Sequence, residues 1–278
     1  MNVSTLKDIP PWDWPEGTEK QLLDILRDDR AKESELLLAV ELAGDFTVIN
    51  DELADALVSV LRSADTSEKI RGQAAISLGP VLEHVDTEGF EDAGDLSIAE
   101  PTFHRIQESL RQLYLDASVP GEARRRILEA SVRAPQDWHR DAVGTAFSSG
   151  DEAWRLTAVF CMRFIRGFDE QILEALDSKN PDIHYEAVLA AGNWEVDAAW
   201  PHVAALVTSG DTDKPLLLAA IDAVASIRPH EAAESLEDLA DSDDEDIVAA
   251  VDEAMVMAHG LSDEDEDDDW KDEDEFLH

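Results

Sequence analysis

The sequence predicts an all-α protein, an α-solenoid of about seven antiparallel helix pairs. Apolar residues recur at helical spacing along most of the chain, and no window shows the polar–apolar alternation of a strand. One helix pattern also returns at intervals near 30 residues. A single helix pair of this length cannot bury its own apolar face, so stacked neighbours are expected to form a continuous core.

The repeated pattern is clearest over residues 70–79, with the sequence IRGQAAISLG. Ile70, Ala74 and Leu78 lie at helical spacing, and Gly79 leaves room for a neighbouring helix to come close. We call the place held by Arg71 the anchor position, because it can be followed through the whole chain. It falls on Glu35, Arg71, Arg125, Arg155, His184, Leu217 and Val248.

This pattern resembles HEAT-like repeat proteins, in the short variety named after phycobilisome lyases, over roughly residues 16–261. The resemblance implies a protein that acts as a scaffold. Second helices usually line the concave face of such a solenoid, where ligands bind. The last two repeats depart from the pattern because Leu217 and Val248 replace arginine at the anchor position.

Two terminal segments are expected to lie outside the repeats. Residues 1–15 contain three prolines and two tryptophans, which predicts an irregular leader that folds back as a cap on the first helix pair. The other interpretation of this leader is a Trp/Pro peptide offered to a partner. Residues 262–278 carry eleven acids and one lysine, which predicts a disordered acidic tail.

One interval between anchor positions, from Arg71 to Arg125, is 54 residues long. It holds a glycine-rich acidic stretch, so we predict an insertion loop near 84–97, followed by a longer helix around 98–116. Insertions in repeat proteins often map to the binding face. The alternative is an insertion that the surface merely tolerates.

The formal net charge of −42 limits the classes of partner. A field of this sign repels nucleic-acid phosphates and anionic membranes, and it favours basic proteins and cations. The chain has 7 lysines and 15 arginines against 64 acids, a composition found in proteins of high-salt organisms and also in ordinary acidic cytosolic proteins. Neither a signal peptide nor a membrane span is recognisable, so we predict a cytoplasmic location.

Residue patterns that carry chemistry are scarce. Deoxyhypusine hydroxylase, built from similar repeats, binds two irons through four His-Glu pairs, whereas this sequence has one such pair, His230-Glu231. Bilin lyases share only the scaffold, and the repeat itself transfers no catalytic residue. The single Cys161 lies in an apolar stretch, and the remaining histidines show no metal-ligand spacing. We therefore predict a protein that is not an enzyme and has no cofactor and no metal.

Arginine is concentrated in the middle of the chain. Ten of the 15 arginines lie between residues 105 and 166, a window with eight acids. Two of them, Arg133 and Arg163, occupy the place of Gly79 in the repeat. The candidate partner-binding residues are Arg126, Arg133, Arg163 and Arg166. Arg71, Arg125 and Arg155, at the anchor position, are expected to be structural arginines that pair with neighbouring loops.

Two function hypotheses follow. The first is a non-enzymatic scaffold whose arginine-containing concave face holds an acidic segment of a protein partner, with its own tail as a tethered competitor. The second is an acidic chaperone or nucleic-acid mimic that binds basic proteins through its surface and tail. A bilin lyase or isomerase-like helper is a more distant alternative.

Overall fold

The computed structural model describes residues 3–90 and 96–273, with side chains as far as Gly260. The described residues form helices joined by short connections and include no strand. The chain divides into two compact units, Met1–Thr145 and Ala146–His278. We describe each unit by itself.

The first unit begins with 3-10 turns and continues with seven α-helices, the last of which crosses the boundary between the units. They are α1 (Thr18–Leu26), α2 (Glu33–Ala43), α3 (Asp51–Arg62), α4 (Glu68–Glu88), α5 (Glu100–Leu115), α6 (Gly121–Ser131) and α7 (Asp137–Phe147). Helix α4 packs against α2, α3 and α6. Its Leu78 and Leu82 are fully buried, and burying one such side chain contributes about 1.5–3 kcal/mol.

The second unit continues the alternation of helices and short loops. It contains α8 (Glu152–Met162), α9 (Asp169–Leu176), α10 (Pro181–Asn193), α11 (Trp200–Thr208), α12 (Lys214–Ile227), α13 (Pro229–Ala240) and α14 (Glu245–Glu273). Helix α12 packs against α10, α11, α13 and α14. Cys161 lies fully buried in α8 among apolar neighbours, as its sequence context predicts.

The predicted repeat register is confirmed. All seven anchor positions, from Glu35 in α2 to Val248 in α14, fall on the even-numbered helices. The chain therefore alternates a first and a second helix seven times. Small residues keep these second helices close to one another. A Cβ on Gly192 of α10, for example, would lie 3.0 Å from the Cα of Ala223 in α12.

Three helix starts show why the chain turns where it does. The side chain of Asn50 accepts hydrogen bonds from the amides of Glu52 and Leu53 at 3.0 Å each, and so caps α3. Asp151 caps α8 and Asn180 caps α10 in the same way. Each cap satisfies amide groups that would otherwise lack a partner at the start of a helix, a contribution of about 1 kcal/mol.

The N-terminal segment differs in part from the irregular leader that its prolines predict. Val3–Asp8 form a 3-10 helix that contacts α2, and Leu6 is buried in the core of the first unit. The indole of Trp14 donates to the carbonyl of Leu6 at 3.1 Å and to that of Ile9 at 3.0 Å. Trp12, in contrast, is 78% exposed, although we expected both tryptophans to be covered.

Two further boundaries differ from the sequence-based prediction. Helix α4 continues through Pro80 to Glu88, so the connection to α5 starts later than residue 84. Residues 91–95 of the predicted insertion loop lie outside the described residues.

Helix α14 is helical to Glu273, whereas composition predicts disorder from 262. An existing helix extends without a new nucleation cost, which is the physical reason for this continuation. Residues 274–278 lie outside the described part of the chain.

Candidate functional site

Arg126, the first candidate residue, lies on α6 and is held by its own helix. Its guanidinium donates to Glu122 at 3.0 Å and to Glu129 at 2.7 Å. Partial burial opposes its charge, but the two carboxylates outweigh this effect and raise the pKa of Arg126. The aliphatic part of the side chain crosses Gly72 of α4, where a Cβ would lie 3.1 Å from its Cγ. Arg126 also lines a surface cleft of about 730 Å³.

The neighbouring Arg125 completes a compact charged cluster on α6. Arg125 is buried and contacts Glu122 at 2.6 Å and Glu129 at 3.6 Å. Burial favours the neutral form of Glu122, but hydrogen bonds and charge from both arginines leave its pKa lowered. Two cations and two carboxylates therefore neutralise one another within two turns of helix. The cluster has no net positive charge to offer to an acidic partner.

Arg133 follows the end of α6 and reaches across to α4. Its guanidinium forms an ion pair with Glu83, and its side chain lies over Gly79, where a Cβ would be 2.9 Å from the Cδ. Because Gly72 and Gly79 are seven residues apart on α4, Arg126 and Arg133 lie on the same side of the α4–α6 contact. The structure thus brings these two candidates together, each with a carboxylate partner.

Arg163 and Arg166 belong to the second unit and lie near the end of α8. The guanidinium of Arg163 pairs with Glu186 of α10 at 3.2 Å and lies 5.6 Å from the centre of the Phe160 ring. Its Nε is buried without a hydrogen-bond partner among the described residues. Arg166 lies over the ring of Trp194 at 4.7 Å. Arg163 is thus engaged by an acidic and an aromatic group, and Arg166 by an aromatic group, of the same unit.

The arginines at the anchor position have structural surroundings. Arg71 is 6% exposed, and its Nε donates to the carbonyl of Leu61 at 2.8 Å, near the end of the preceding helix. Arg155 pairs with Glu174 at 2.8 Å and lies 4.6 Å from the centre of the Phe147 ring. Arg71 and Arg155 therefore join the second helix of a repeat to a neighbouring segment. Arg125, which we expected to pair with a neighbouring loop, instead pairs with Glu122 and Glu129 of its own helix.

One buried serine–histidine pair has the geometry of a structural contact rather than of a nucleophile and its base. His139 is fully buried, its Nδ1 accepts from the Gln136 amide at 2.9 Å, and its Nε2 lies 2.9 Å from the Ser131 hydroxyl. With Nδ1 as acceptor, the ring hydrogen is on Nε2 and points at the hydroxyl oxygen, so the imidazole cannot take the serine proton. Burial lowers the pKa of His139 from 6.5 to about 4.

The structure also brings together two histidines that sequence reasoning left apart. The Nε2 atoms of His184 in α10 and His202 in α11 are 2.7 Å apart. His184 holds an anchor position, which is the only signal in the sequence that marks it. The spacing of 18 residues is set by a loop and two helices and matches no local ligand motif. Within the described residues, no three histidine, cysteine or acidic side chains form a group that could hold a metal ion.

Comparisons with known proteins yield a family model over part of the chain and distant likenesses among solved structures. A family model described as HEAT repeats matches residues 170–255. Among solved structures, human deoxyhypusine hydroxylase in complex with glycerol is 17% identical over 93% of this chain and 88% of that chain, with a TM-score of 0.40. An engineered protein is 18% identical over 88% of this chain and 98% of that chain, with a TM-score of 0.37. Neither likeness extends to function, and a search of curated proteins finds no match.

The repeat register and the matched family model define the class. The described residues have a HEAT-like helical repeat fold, and the HEAT match itself covers residues 170–255. The narrower resemblance to the phycobilisome-lyase variety stays a prediction. In the part of the chain that the structure describes, no helix is long and apolar enough to cross a membrane.

Proposed function

We propose that this protein is a non-enzymatic interaction scaffold whose acidic repeat surface binds a basic segment of a partner protein. The observation that supports this proposal is that many cationic side chains already pair with carboxylates of the chain itself. Among the described side chains, ten lysines and arginines form ion pairs with carboxylates of the chain itself. The excess of 64 acids over 22 bases is therefore what the surface presents to a partner.

Among the described side chains, the excess is concentrated at α13 and the loop that follows it. Residues 229–246 contain nine acids and neither lysine nor arginine. Arg228 and Lys214 reach this region from outside and pair with Glu231, Asp244 and Asp246. The other six carboxylates form no ion pair among the described side chains, and all six are exposed.

Four of these carboxylates, three on one side of α13 and one at its C-cap, form what we call the acidic α13 face. They are Glu234, Glu237 and Asp238 in the helix and Asp241 directly after its end, at relative positions 0, 3, 4 and 7. Side chains at this spacing lie next to one another, so their potentials add over a surface about two turns long. A lysine- or arginine-rich segment would gain charge complementarity and a faster association rate from such a surface.

The arginine-based hypothesis has less support. Arg126, Arg133 and Arg163 each face a carboxylate of the chain. An acidic partner would have to displace these carboxylates. They are held on the same or a neighbouring helix, so they pair with the arginines without the loss of translational and rotational entropy that a separate partner incurs on binding.

The test measures binding of fluorescent peptides to the full chain by anisotropy at several salt concentrations. The probes are a lysine- and arginine-rich peptide and an acidic peptide of equal length. We expect the basic peptide to bind, with affinity that falls as salt rises, and the acidic peptide not to bind. Binding of the acidic peptide alone would overturn the proposal in favour of the arginine-based hypothesis.

A matched pair of variants separates the acidic α13 face from net charge. One variant carries Glu234→Gln, Glu237→Gln, Asp238→Asn and Asp241→Asn. The control carries Glu16→Gln, Glu19→Gln, Asp24→Asn and Asp29→Asn, which are exposed residues of the first unit with the same composition. We expect a roughly tenfold or larger loss of affinity in the first variant only, equivalent to about 1.4 kcal/mol. Equal losses in both would show binding by net charge without a defined surface.

A further inference from the structure

His184 and His202 form a contact between two helices of the second unit that the repeat pattern does not require. Their Nε2 atoms are 2.7 Å apart, their ring centres are 4.9 Å apart, and the ring planes cross at 80°. At other anchor positions an arginine reaches a carbonyl or a carboxylate, as Arg71 does with Leu61. Here an imidazole meets a second imidazole from α11.

The surroundings favour neutral rings and an added cation. Both histidines are half-buried, and burial lowers the pKa of each below 6.5. The charges of Asp177, at the end of α9, and Asp213, just before α12, act on His184 in the opposite direction. At 2.7 Å one Nε2 carries a hydrogen and the other accepts it, and the negative charges of Asp177 and Asp213 favour positive charge at this contact.

We propose that His184 and His202 form a two-histidine site for a borderline divalent transition-metal ion such as Zn²⁺. Neutral imidazole nitrogen is a preferred ligand of these ions. Water fills the remaining positions, and Asp177 and Asp213 supply compensating charge around the ion. This inference does not depend on the proposed binding of a basic partner, because it concerns the α10–α11 contact and not the acidic α13 face.

Binding an ion requires the two rings to separate and also to turn, because their nitrogens now face each other in a hydrogen bond. Two nitrogens that bind one tetrahedral zinc at about 2.0–2.1 Å are about 3.3 Å apart, so the rings would separate by roughly 0.6 Å from their present contact. The histidine that carries its hydrogen on Nε2 moves it to Nδ1 when the ion binds.

Because the protein is strongly acidic, the test must distinguish zinc binding by the two histidines from general attraction of cations. A surface with a net charge of −42 attracts every cation, so a zinc-dependent change alone would be uninformative. Hard cations such as Mg²⁺ prefer carboxylate oxygen, whereas imidazole selects the borderline ions. Zinc binding is therefore measured on the full chain by calorimetry, in buffer with a large excess of Mg²⁺.

Three variants compare the proposed ligands with an unrelated histidine. We expect the natural chain to bind one zinc per chain and to melt at a higher temperature when zinc is present. His184→Asn and His202→Asn should each weaken binding by at least about tenfold, because each removes one of two ligands. His259→Asn, on the exposed side of α14, should leave both measurements unchanged. Equal zinc binding in all four proteins would overturn the proposal and indicate an adventitious ion only.

A spectroscopic measurement on the natural chain keeps the test independent of variant folding. With Cu²⁺ as the probe, electron paramagnetic resonance detects the nitrogens bound to the metal. We expect hyperfine coupling to two imidazole nitrogens in the natural chain. Oxygen ligands alone, or a single nitrogen, would contradict the two-histidine site even if both histidine variants failed to fold.

Discussion

At the scale of single residues, register could be predicted from the sequence, but partners could not. Arg133 and Gly79 hold the same place in consecutive repeats, and in the structure they pack on one another because equivalent positions of stacked second helices meet. The ion pair of Arg133 with Glu83 joins residues 50 positions apart, and no local pattern indicates it. The His184–His202 contact escaped sequence reasoning for the same reason.

His139 allows a pH prediction, because a buried neutral imidazole must remain neutral in the folded state. Its pKa is about 4 when folded and about 6.5 when unfolded. Between these values the unfolded chain binds more protons, so this residue's contribution is complete above pH 6.5 and is lost as pH falls toward 4. We expect the natural chain to lose about 2 kcal/mol more unfolding free energy between pH 7 and pH 5 than His139→Gln does.

Urea unfolding at the two pH values measures this difference. The comparison uses the unfolding free energy that each protein loses between pH 7 and pH 5, not its absolute stability. The cost of the hydrogen bonds that His139→Gln also breaks is the same at both pH values and therefore cancels. The many surface carboxylates contribute equally to both proteins and cancel. Identical slopes for the natural chain and His139→Gln would contradict the assignment.

At the scale of helices, periodicity predicted where second helices lie but not how far helices extend. The cap at Asn180, followed by Pro181 in the first turn, starts α10 where the sequence indicates. Helix α4 passes through Pro80, a residue that argues for an earlier end, and α14 continues into a stretch whose composition argues for disorder. Burial of Val81, Leu82 and Val85 continues α4 past Pro80, whereas α14 extends an existing helix without a new nucleation cost.

A matched pair of glycine substitutions tests how closely the second helices pack. Gly192→Ala would place a Cβ 3.0 Å from both the Cα and the Cβ of Ala223, and the backbone there cannot yield without moving α12. We expect Gly192→Ala to destabilise the chain by roughly 1–3 kcal/mol. Gly144→Ala, in α7, has open space at its Cβ and should stabilise the chain by about 0.5–1 kcal/mol through helix propensity alone.

Urea midpoints of the two alanine variants give the result directly. Opposite signs are the expected outcome, because helix propensity acts alike on both residues and only the neighbouring backbone differs. Stabilisation by both substitutions would mean that α10 and α12 are not packed at the distance that the structure shows.

At the scale of the whole molecule, the dominant quantity is charge. The repeat class could be predicted from the sequence because the anchor pattern returns seven times, whereas the candidate site could not, because most cationic side chains near it pair with acids of neighbouring helices. What remains is a strong excess of negative charge over the whole chain. Self-repulsion of this kind opposes the compact state, and salt weakens it.

We therefore expect the melting temperature to rise steeply with KCl at low concentration. The screening length falls from about 30 Å at 0.01 M to about 10 Å at 0.1 M, so most of the rise should occur in this range. Internal ion pairs such as Arg105–Asp55 are screened too, but exposed pairs contribute only about 0–1 kcal/mol each, and repulsion among the excess acids dominates.

Comparing KCl with K₂SO₄ at equal ionic strength separates screening from the preferential exclusion of sulfate. Screening predicts that the melting temperatures in the two salts coincide at low ionic strength. At high concentration the melting temperature in K₂SO₄ should exceed that in KCl, because exclusion of sulfate strengthens apolar burial. The variant with Glu234→Gln, Glu237→Gln, Asp238→Asn and Asp241→Asn should melt higher than the natural chain at low salt and converge with it at high salt. A melting temperature independent of KCl would show that repulsion among these acids does not limit the stability of the fold.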